Sequence, residues 1–405
     1  MRILLVADGR SPITHNWISM LSGLDHEIHL ISTFPHEAIP EIAGSWTIPV
    51  GFSIFAGGQV KGKSTSRRSI IRRMMSTFRP LLMKLRAVLA PLTLSAAQDR
   101  FLSCVREIQP DIVHALRVPF EGMLASALQA EIPLIVSIWG NDLTLHAYAS
   151  RLMGARTRQT LERADGLIAD AERDIVLAKE YGLREGVPEL VVPGSGGLDL
   201  ARIKNYTNNS ENVLKAYDMP LDKSIVINPR GFRPGSVHQD VFFDSIPYIV
   251  KRYPNAHFVC PGMCGQPLAE KWIRRLDIEG SVTLLPFMPQ EELWALYSYA
   301  DIYVSLSSHD GTPNSFLEAI SRGCFPVVGD ITSLREWIED GVNGSLVDPH
   351  NVMDAADAVV SALRNDQLRK KAGVENLKVI KKRADMHLVS QSVRDFYGQF
   401  ARNSS

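Results

Sequence analysis

What the 405-residue sequence lacks first is a net charge: 44 Lys plus Arg face 44 Asp plus Glu. With no overall field of either sign, nothing points to a nucleic-acid partner. Cysteine is scarce. Of Cys104, Cys260, Cys264 and Cys324 only the middle two are close, and no His or Cys pair nearby completes a zinc-type set. They read as buried, reduced thiols, which suits a reducing cytoplasm. No stretch approaches the ~20 apolar residues that span a bilayer. The apolar run at residues 3–7 is also too short for the core of a signal peptide. The expected location is therefore cytoplasmic, with any membrane contact peripheral. No Gly-x-Gly-x-x-Gly follows that run, which argues against a dinucleotide-dependent oxidoreductase. Asp-x-Asp, solenoid repeats and low-complexity tracts are absent as well. One further absence is local: between Glu41 and Asp99 there is not one acidic residue.

What is present is ordinary globular composition, with 45% apolar and 22% charged residues. The length exceeds the ~250–300 residues at which single cores stop growing, so two domains are expected. Short apolar runs at residues 3–7, 27–32, 112–115, 134–138 and 166–170 read as buried parallel strands. Helical spacing occupies 16–24, 101–108 and 120–128 between them. A second series follows the polar stretch 205–210. Strands are expected at 224–228, 257–260, 282–285, 302–305, 325–329 and 344–347. Helices are expected at 242–252, 290–299, 315–322, 333–339 and 352–363. The pattern predicts α/β architecture, two doubly wound Rossmann-like domains, with the cleft between them as the default ligand site. The expected division is 1–204, 205–385 and a C-terminal helix, 386–405, packing back on the first domain.

The acid-free region holds nine cations: Lys61, Lys63, Arg67, Arg68, Arg72, Arg73, Arg79, Lys84 and Arg86. They alternate with Ile, Met, Leu and Phe. A basic amphipathic segment over 61–90 suits an anionic membrane surface; a helix packed on the core with a solvated basic face is the other reading.

The most informative stretch is 307–330, SSHDGTPNSFLEAISRGCFPVVGD. It runs from a strand through a Gly/Pro loop into a helix that begins near Asn314 or Ser315. A helix N-terminus presents unpaired N–H groups and the positive end of its dipole, so it attracts phosphate. Gly311 lets a ligand approach the backbone and Pro313 fixes entry to the helix. Asp310 on the loop and Glu318 in the helix offer acceptors for hydroxyl groups on either side of that anion site.

This arrangement resembles the E-x7-E signature of retaining glycosyltransferases of the GT-B fold, family 4 in particular. The run 282–308 and the segment RGCFPVVGDITSLREWIEDGVNGSLVDP resemble the family on either side of the motif. DGLIADAERDIVLAKEYG and VVPGSGGLDL resemble its run before the interdomain linker. The match is strongest over 282–349.

The resemblance implies that Glu318 binds the donor ribose and Asp310 the donor sugar. Backbone N–H groups around Thr312–Phe316 would hold sugar and phosphate oxygens, with Gly311, Thr312, Pro313, Asn314, Ser315 and Phe316 all at the donor site. Arg230, in INPRGFRP, would neutralise the diphosphate, with Arg233 or His238 replacing a family Lys whose position here is Gly235. Gly9 would pass close to donor or acceptor. Asp310 is one methylene shorter than the family's Glu. On the acceptor side Trp139, Asn141 and Asp142 stand where the family often reads H-G-x-D. His15 and His114 are the candidates for the missing His, each also readable as a structural residue.

The resemblance implies transfer of a sugar from a UDP-, GDP- or ADP-sugar to an acceptor, with no metal and no cofactor. A lipid-linked or polysaccharide glycan suits the basic segment. Two other readings fit the same residues: a nucleotide-sugar epimerase or hydrolase, and a degenerate subunit that binds without turnover.

Overall fold

The computed structural model describes residues 1–22, 26–51, 93–206, 210–220 and 222–400. The basic segment 61–90 lies outside the described residues. Contacts divide the chain into one unit of Met1–Gly196 with Ser390–Ser405 and a second of Gly197–Val389.

The first unit is built on a parallel sheet of seven strands: β1 (Arg2–Ala7), β2 (Glu27–Ser32), β3 (Gly44–Thr47), β4 (Ile112–Ala115), β5 (Leu134–Ile138), β6 (Gly166–Ala169) and β7 (Glu189–Val191). Their order is β3-β2-β1-β4-β5-β6-β7. β1 pairs with β2 from Arg2↔Glu27 to Ala7↔Ser32 and with β4 from Ile3↔Ile112 to Val6↔Ala115. The direction of winding reverses between β1 and β4. The central strands are mostly apolar and buried, Ile112–Ala115 and Leu134–Ile138 at every position, because helices cover both faces and leave no wet side.

The second unit repeats the plan with six strands: β8 (Ser224–Ile227), β9 (Ala256–Cys260), β10 (Val282–Leu284), β11 (Ile302–Ser305), β12 (Phe325–Gly329) and β13 (Ser345–Val347). The order β10-β9-β8-β11-β12-β13 puts its reversal between β8 and β11. Alternation along β11 feeds two cores. Ile302 and Val304 pack with Phe242, Phe243 and Phe258, whereas Tyr303 packs on the opposite face with Phe316, Tyr297 and Trp337.

Several expectations are corrected. The 120–128 helix is replaced by a distorted turn, Val118–Gly122, and one helical turn, Met123–Ala125, because Pro119 is extended. The 333–339 helix stops at Arg335, since the Asn343 side chain donates to the Trp337 carbonyl and accepts from the Glu339 N–H. Two short edge strands, β3 and β7, and several helices, among them Arg151–Arg163, Glu172–Glu180, Pro267–Leu276 and Asp366–Arg383, lie outside the expected set. The cysteines are all free, but Cys264 is exposed and Cys104 half-buried, so only Cys260 and Cys324 are the expected buried thiols.

The break between units falls at 196/197 because residues 198–203 enter the second core through Leu198 and Ile203. The Leu198 N–H donates to the Ala384 carbonyl at 2.7 Å and the Met386 N–H to the Leu198 carbonyl at 3.0 Å. The last helix, Met386–Gly398, belongs to the second unit through Val389 and to the first from Ser390.

Candidate functional site

In open α/β sheets the crevice at the carboxyl ends of the strands, where the winding reverses, is where ligands bind. In the second unit that place is set by the loops leaving β8 and β11. The β8 loop is pinned at its start. Asn228 Nδ2 donates to Gln239 Oε1 at 2.8 Å, and its Oδ1 accepts from the Arg230 N–H at 3.1 Å. Farther along, the loop runs antiparallel to the β11 exit, bridging at Val237↔Ser307. The His238 N–H donates to the Leu306 carbonyl and the Ser308 N–H to the Ser236 carbonyl, both at 2.9 Å. The Ser236 hydroxyl adds a bond to the His309 carbonyl. Two loops therefore act as one piece.

Within this frame the side chains converge. The Arg230 guanidinium donates through Nη2 to Asp310 Oδ2, and through Nη1 to Ser315 Oγ at 3.3 Å. Ser307 Oγ donates to the same Asp310 oxygen at 3.1 Å, and lies 3.1 Å from Ser305 Oγ. Ser315 Oγ is 3.1 Å from the Tyr303 hydroxyl. The Asp310 carbonyl accepts from Ser333 Oγ at 2.8 Å, and Thr312 Oγ1 accepts from Trp337 Nε1 at 3.2 Å. Thus the loop carrying Asp310, Gly311, Thr312 and Pro313 is held from both sides.

Pro313 opens the Asn314–Ser321 helix with an extended backbone, and its ring offers no cap. Phe316 turns inward, its ring 6.2 Å from Tyr303 and 6.4 Å from Trp337. Glu318, one turn in, is only 3% exposed and accepts from Gln290 Nε2. Burial pushes its carboxyl up to about 7, against a lowering by the Gln290 bond. Arg233 is exposed on the loop beyond Arg230, and Gly235 nearby has φ +80°. His238 Nε2 lies 2.8 Å from Ser308 Oγ, and its ring centroid is 4.1 Å from that of His350.

In the first unit the candidates separate. Gly9 follows β1, and its N–H donates to Ser32 Oγ at 2.9 Å. A Cβ there would lie 2.6 Å from the His36 ring, so any larger residue would have to displace that side chain. His15 is exposed. His114 is not a substrate-facing base. It is fully buried, with Nδ1 2.5 Å from the Tyr397 hydroxyl and Nε2 2.8 Å from Ser137 Oγ, and burial lowers its pKa to about 3. Asp142 is likewise structural. Buried completely, it accepts from Arg117 Nε at 2.8 Å, the Trp139 N–H at 3.2 Å and the Val118 N–H at 3.4 Å. Trp139 Nε1 donates to the Leu116 carbonyl, and Asn141 Oδ1 accepts from Arg117 Nη2 at 2.9 Å.

Four partners were not legible in the motif: Tyr303, Ser307, Gln290 and Glu121. Tyr303 lies on β11, and Ser307 stands two residues beyond the strand's end at Ser305, so the parity of strand alternation was the available signal. Nothing in the spacing joins Gln290 to Glu318. Glu121 is a buried carboxyl that accepts from Thr33 Oγ1 at 2.8 Å, and burial raises its pKa.

Comparison with known proteins adds to this geometry. Residues 211–379 match the family described as "Glycosyl transferases group 1", and residues 83–171 match "Glycosyl transferase 4-like". The chain is 26% identical over 227 residues to a D-inositol 3-phosphate glycosyltransferase of Corynebacterium urealyticum, covering 52% of this chain and 51% of that one. It is 29% identical over 124 residues to the O-antigen chain mannosyltransferase B of Escherichia coli, covering 31% and 32%. The chain thus spans about half the length or less of these relatives. In fold it is similar to Anabaena HepE, solved in complex with UDP, with a TM-score of 0.71 at 15% identity over 98% of this chain and 100% of that one. Among the described residues no helix is long and apolar enough to cross a membrane. Residues 211–379, which include the loop and helix that hold Asp310 and Glu318, thus form a group 1 glycosyltransferase domain, residues 83–171 a glycosyl transferase 4-like region, and the two Rossmann-like domains have the GT-B fold.

Proposed function

We propose that the protein transfers a sugar, with retention of configuration, from a nucleoside diphosphate sugar to a glycan or lipid-linked acceptor. The observation that carries this reading is the pairing of a buried Glu318 with a held Asp310 on either side of the start of the Asn314–Ser321 helix. Glu318 accepts hydrogen bonds from the ribose hydroxyls and Asp310 from the sugar hydroxyls. N–H groups at the start of the helix and Arg230 receive the diphosphate, with Arg233 or His238 adding charge in place of the family's Lys. The bond between the anomeric carbon and the diphosphate oxygen breaks, and the acceptor oxygen attacks the same face. The acceptor proton goes to the departing diphosphate. Fixed dipoles and cations around that diphosphate lower the barrier, so neither a protein nucleophile nor a metal is required.

The basic segment 61–90 suits an acceptor at an anionic membrane surface on the cytoplasmic side. Trp139, Asn141 and the exposed His15 are the acceptor-side groups. A donor screen tests the reading: UDP, GDP, ADP and their common sugars titrated calorimetrically into wild type and Glu318→Ala. One nucleotide family should bind wild type and weaken at least about tenfold in the variant. No binding by any nucleotide rejects the transferase. Gly235, at the position where the resemblance implies a Lys, favours a second reading of binding without turnover; stable binding with neither transfer nor donor hydrolysis would establish it.

A further inference from the structure

Gln290, Trp294 and Tyr297 recur at i, i+4 and i+7 along the Gln290–Tyr297 helix, which puts them on one face. Each carries a hydrogen-bond donor. Gln290, exposed at the start of the helix, donates its amide to Glu318 Oε1. The other two donors are idle. Trp294 is 4% exposed and Tyr297 fully buried, yet the indole Nε1 and the phenol oxygen have no hydrogen-bond partner among the described residues. A buried donor without an acceptor is costly and rare, and here two share a face.

The acceptor within reach is Glu318, whose helix packs against this one. Burial raises the Tyr297 phenol pKa, and the charge of Glu318 raises it further. Burial also raises the Glu318 carboxyl, against a lowering by Gln290 and Trp294. Indole and phenol thus feel the carboxyl electrostatically without being bonded to it in this structure.

We propose that Trp294 and Tyr297 are positioning residues for Glu318, and that the carboxylate changes partners when a donor nucleotide binds. In the free protein it rests on Gln290. On binding it turns from Gln290 to the ribose, and the indole N–H and phenol O–H donate to it from behind. The physical reason is the cost of a buried charge, which is tolerable when fixed donors surround it. The count also closes. A carboxylate has about four acceptor positions, two for the indole and phenol and two for the ribose hydroxyls. Gln290 would compete for one of them, and its exposed place lets it swing into water. The inference rests on the donor-site reading above and adds how Glu318 is held for the ribose.

The experiment reads the ribose directly. UDP, GDP and ADP, each beside its 2′-deoxy form, are titrated into wild type, Tyr297→Phe, Trp294→Phe and Gln290→Ala, with melting recorded without ligand. Wild type should prefer the ribose form. Tyr297→Phe and Trp294→Phe should each cut that preference about fivefold, by weakening the ribose form while the deoxy form moves less than about twofold. Gln290→Ala should keep the preference or increase it. Because its hydroxyl is idle in the free protein, Tyr297→Phe should melt no lower than wild type. Equal loss of both forms in Tyr297→Phe, a lower melting temperature in that variant, or a lost preference in Gln290→Ala overturns the inference and leaves the donor site standing. Wild type that binds both forms equally overturns the ribose role of Glu318 as well, and binding of no nucleotide overturns the donor-site reading itself. Should Trp294→Phe fail to fold, Tyr297→Phe and Gln290→Ala decide.

Discussion

Glu318 states the trade between stability and function at a single residue. Its carboxyl is raised from 4.5 to about 7 by burial, so the folded protein keeps a proton that the unfolded chain releases. Between those values the unfolded state binds fewer protons, and stability falls as pH rises, by about 3 kcal/mol in all. Below pH 4.5 the penalty is absent, and above about 7 it is complete. Glu318→Gln keeps the shape and loses the charge. We therefore expect it to melt higher than wild type at pH 8, with the gap nearly closed at pH 5, while binding the donor nucleotide more weakly. Melting curves at the two pH values check this; a gap independent of pH would mean that the carboxyl is not desolvated as the geometry implies. At the same scale Arg230 and Asp310 show what a motif leaves out. Their spacing suggested two separate ligand contacts, yet the side chains, 80 residues apart in sequence, satisfy each other.

Strands and helices were legible to different degrees, for a common reason. β1, β2, β4, β5 and β11 are runs whose every inner position is buried, so hydrophobicity alone marks them. β3 and β7 sit on the sheet edge with half-exposed residues, and no apolar run betrays them. The Arg151–Arg163 helix hides in the same way, since Thr157 and Thr160 fill half of its buried face. One contact between elements has a direct test. At the end of β12 a Cβ on Gly329 would lie 2.2 Å from the Ser307 carbonyl oxygen, a backbone atom that cannot swing aside. Gly329→Ala should cost about 3 kcal/mol by overpacking and push the Asp310 loop outward. Gly280→Ala, with nothing within 4 Å of its Cβ, is the matched control and should be close to neutral. Urea denaturation of the two variants measures the difference, and equal stabilities would refute the close approach.

For the whole molecule, the C-terminal residues matter to a unit they are remote from in sequence. Val393, Phe396 and Tyr397 are buried in the first unit, and Tyr397 supplies the hydroxyl beside His114 Nδ1, 283 residues away. Ending the chain after Val389 removes all three side chains, each worth about 2–5 kcal/mol on truncation. Since 1 kcal/mol moves the melting of a domain this size by about 2–4 °C, the first unit should melt roughly 15 °C lower or fail to fold, with the second little changed. Calorimetry of the shortened chain resolves the two transitions. An unaltered first transition would show that these residues are dispensable.

Buried parallel strands, the loop with its Asp310 and Glu318, and membership of the α/β class follow from the sequence itself. Each depends on the hydrophobicity or backbone chemistry of neighbours only a few residues apart. Which polar groups are spent on the protein and which remain for a ligand was decided by the tertiary structure. His114 and Asp142 became core residues when distant partners closed over them, Gln290 was brought to Glu318, and Arg230 was turned onto Asp310. A buried polar group must find a partner, and folding, not spacing along the chain, determines which partner is within reach.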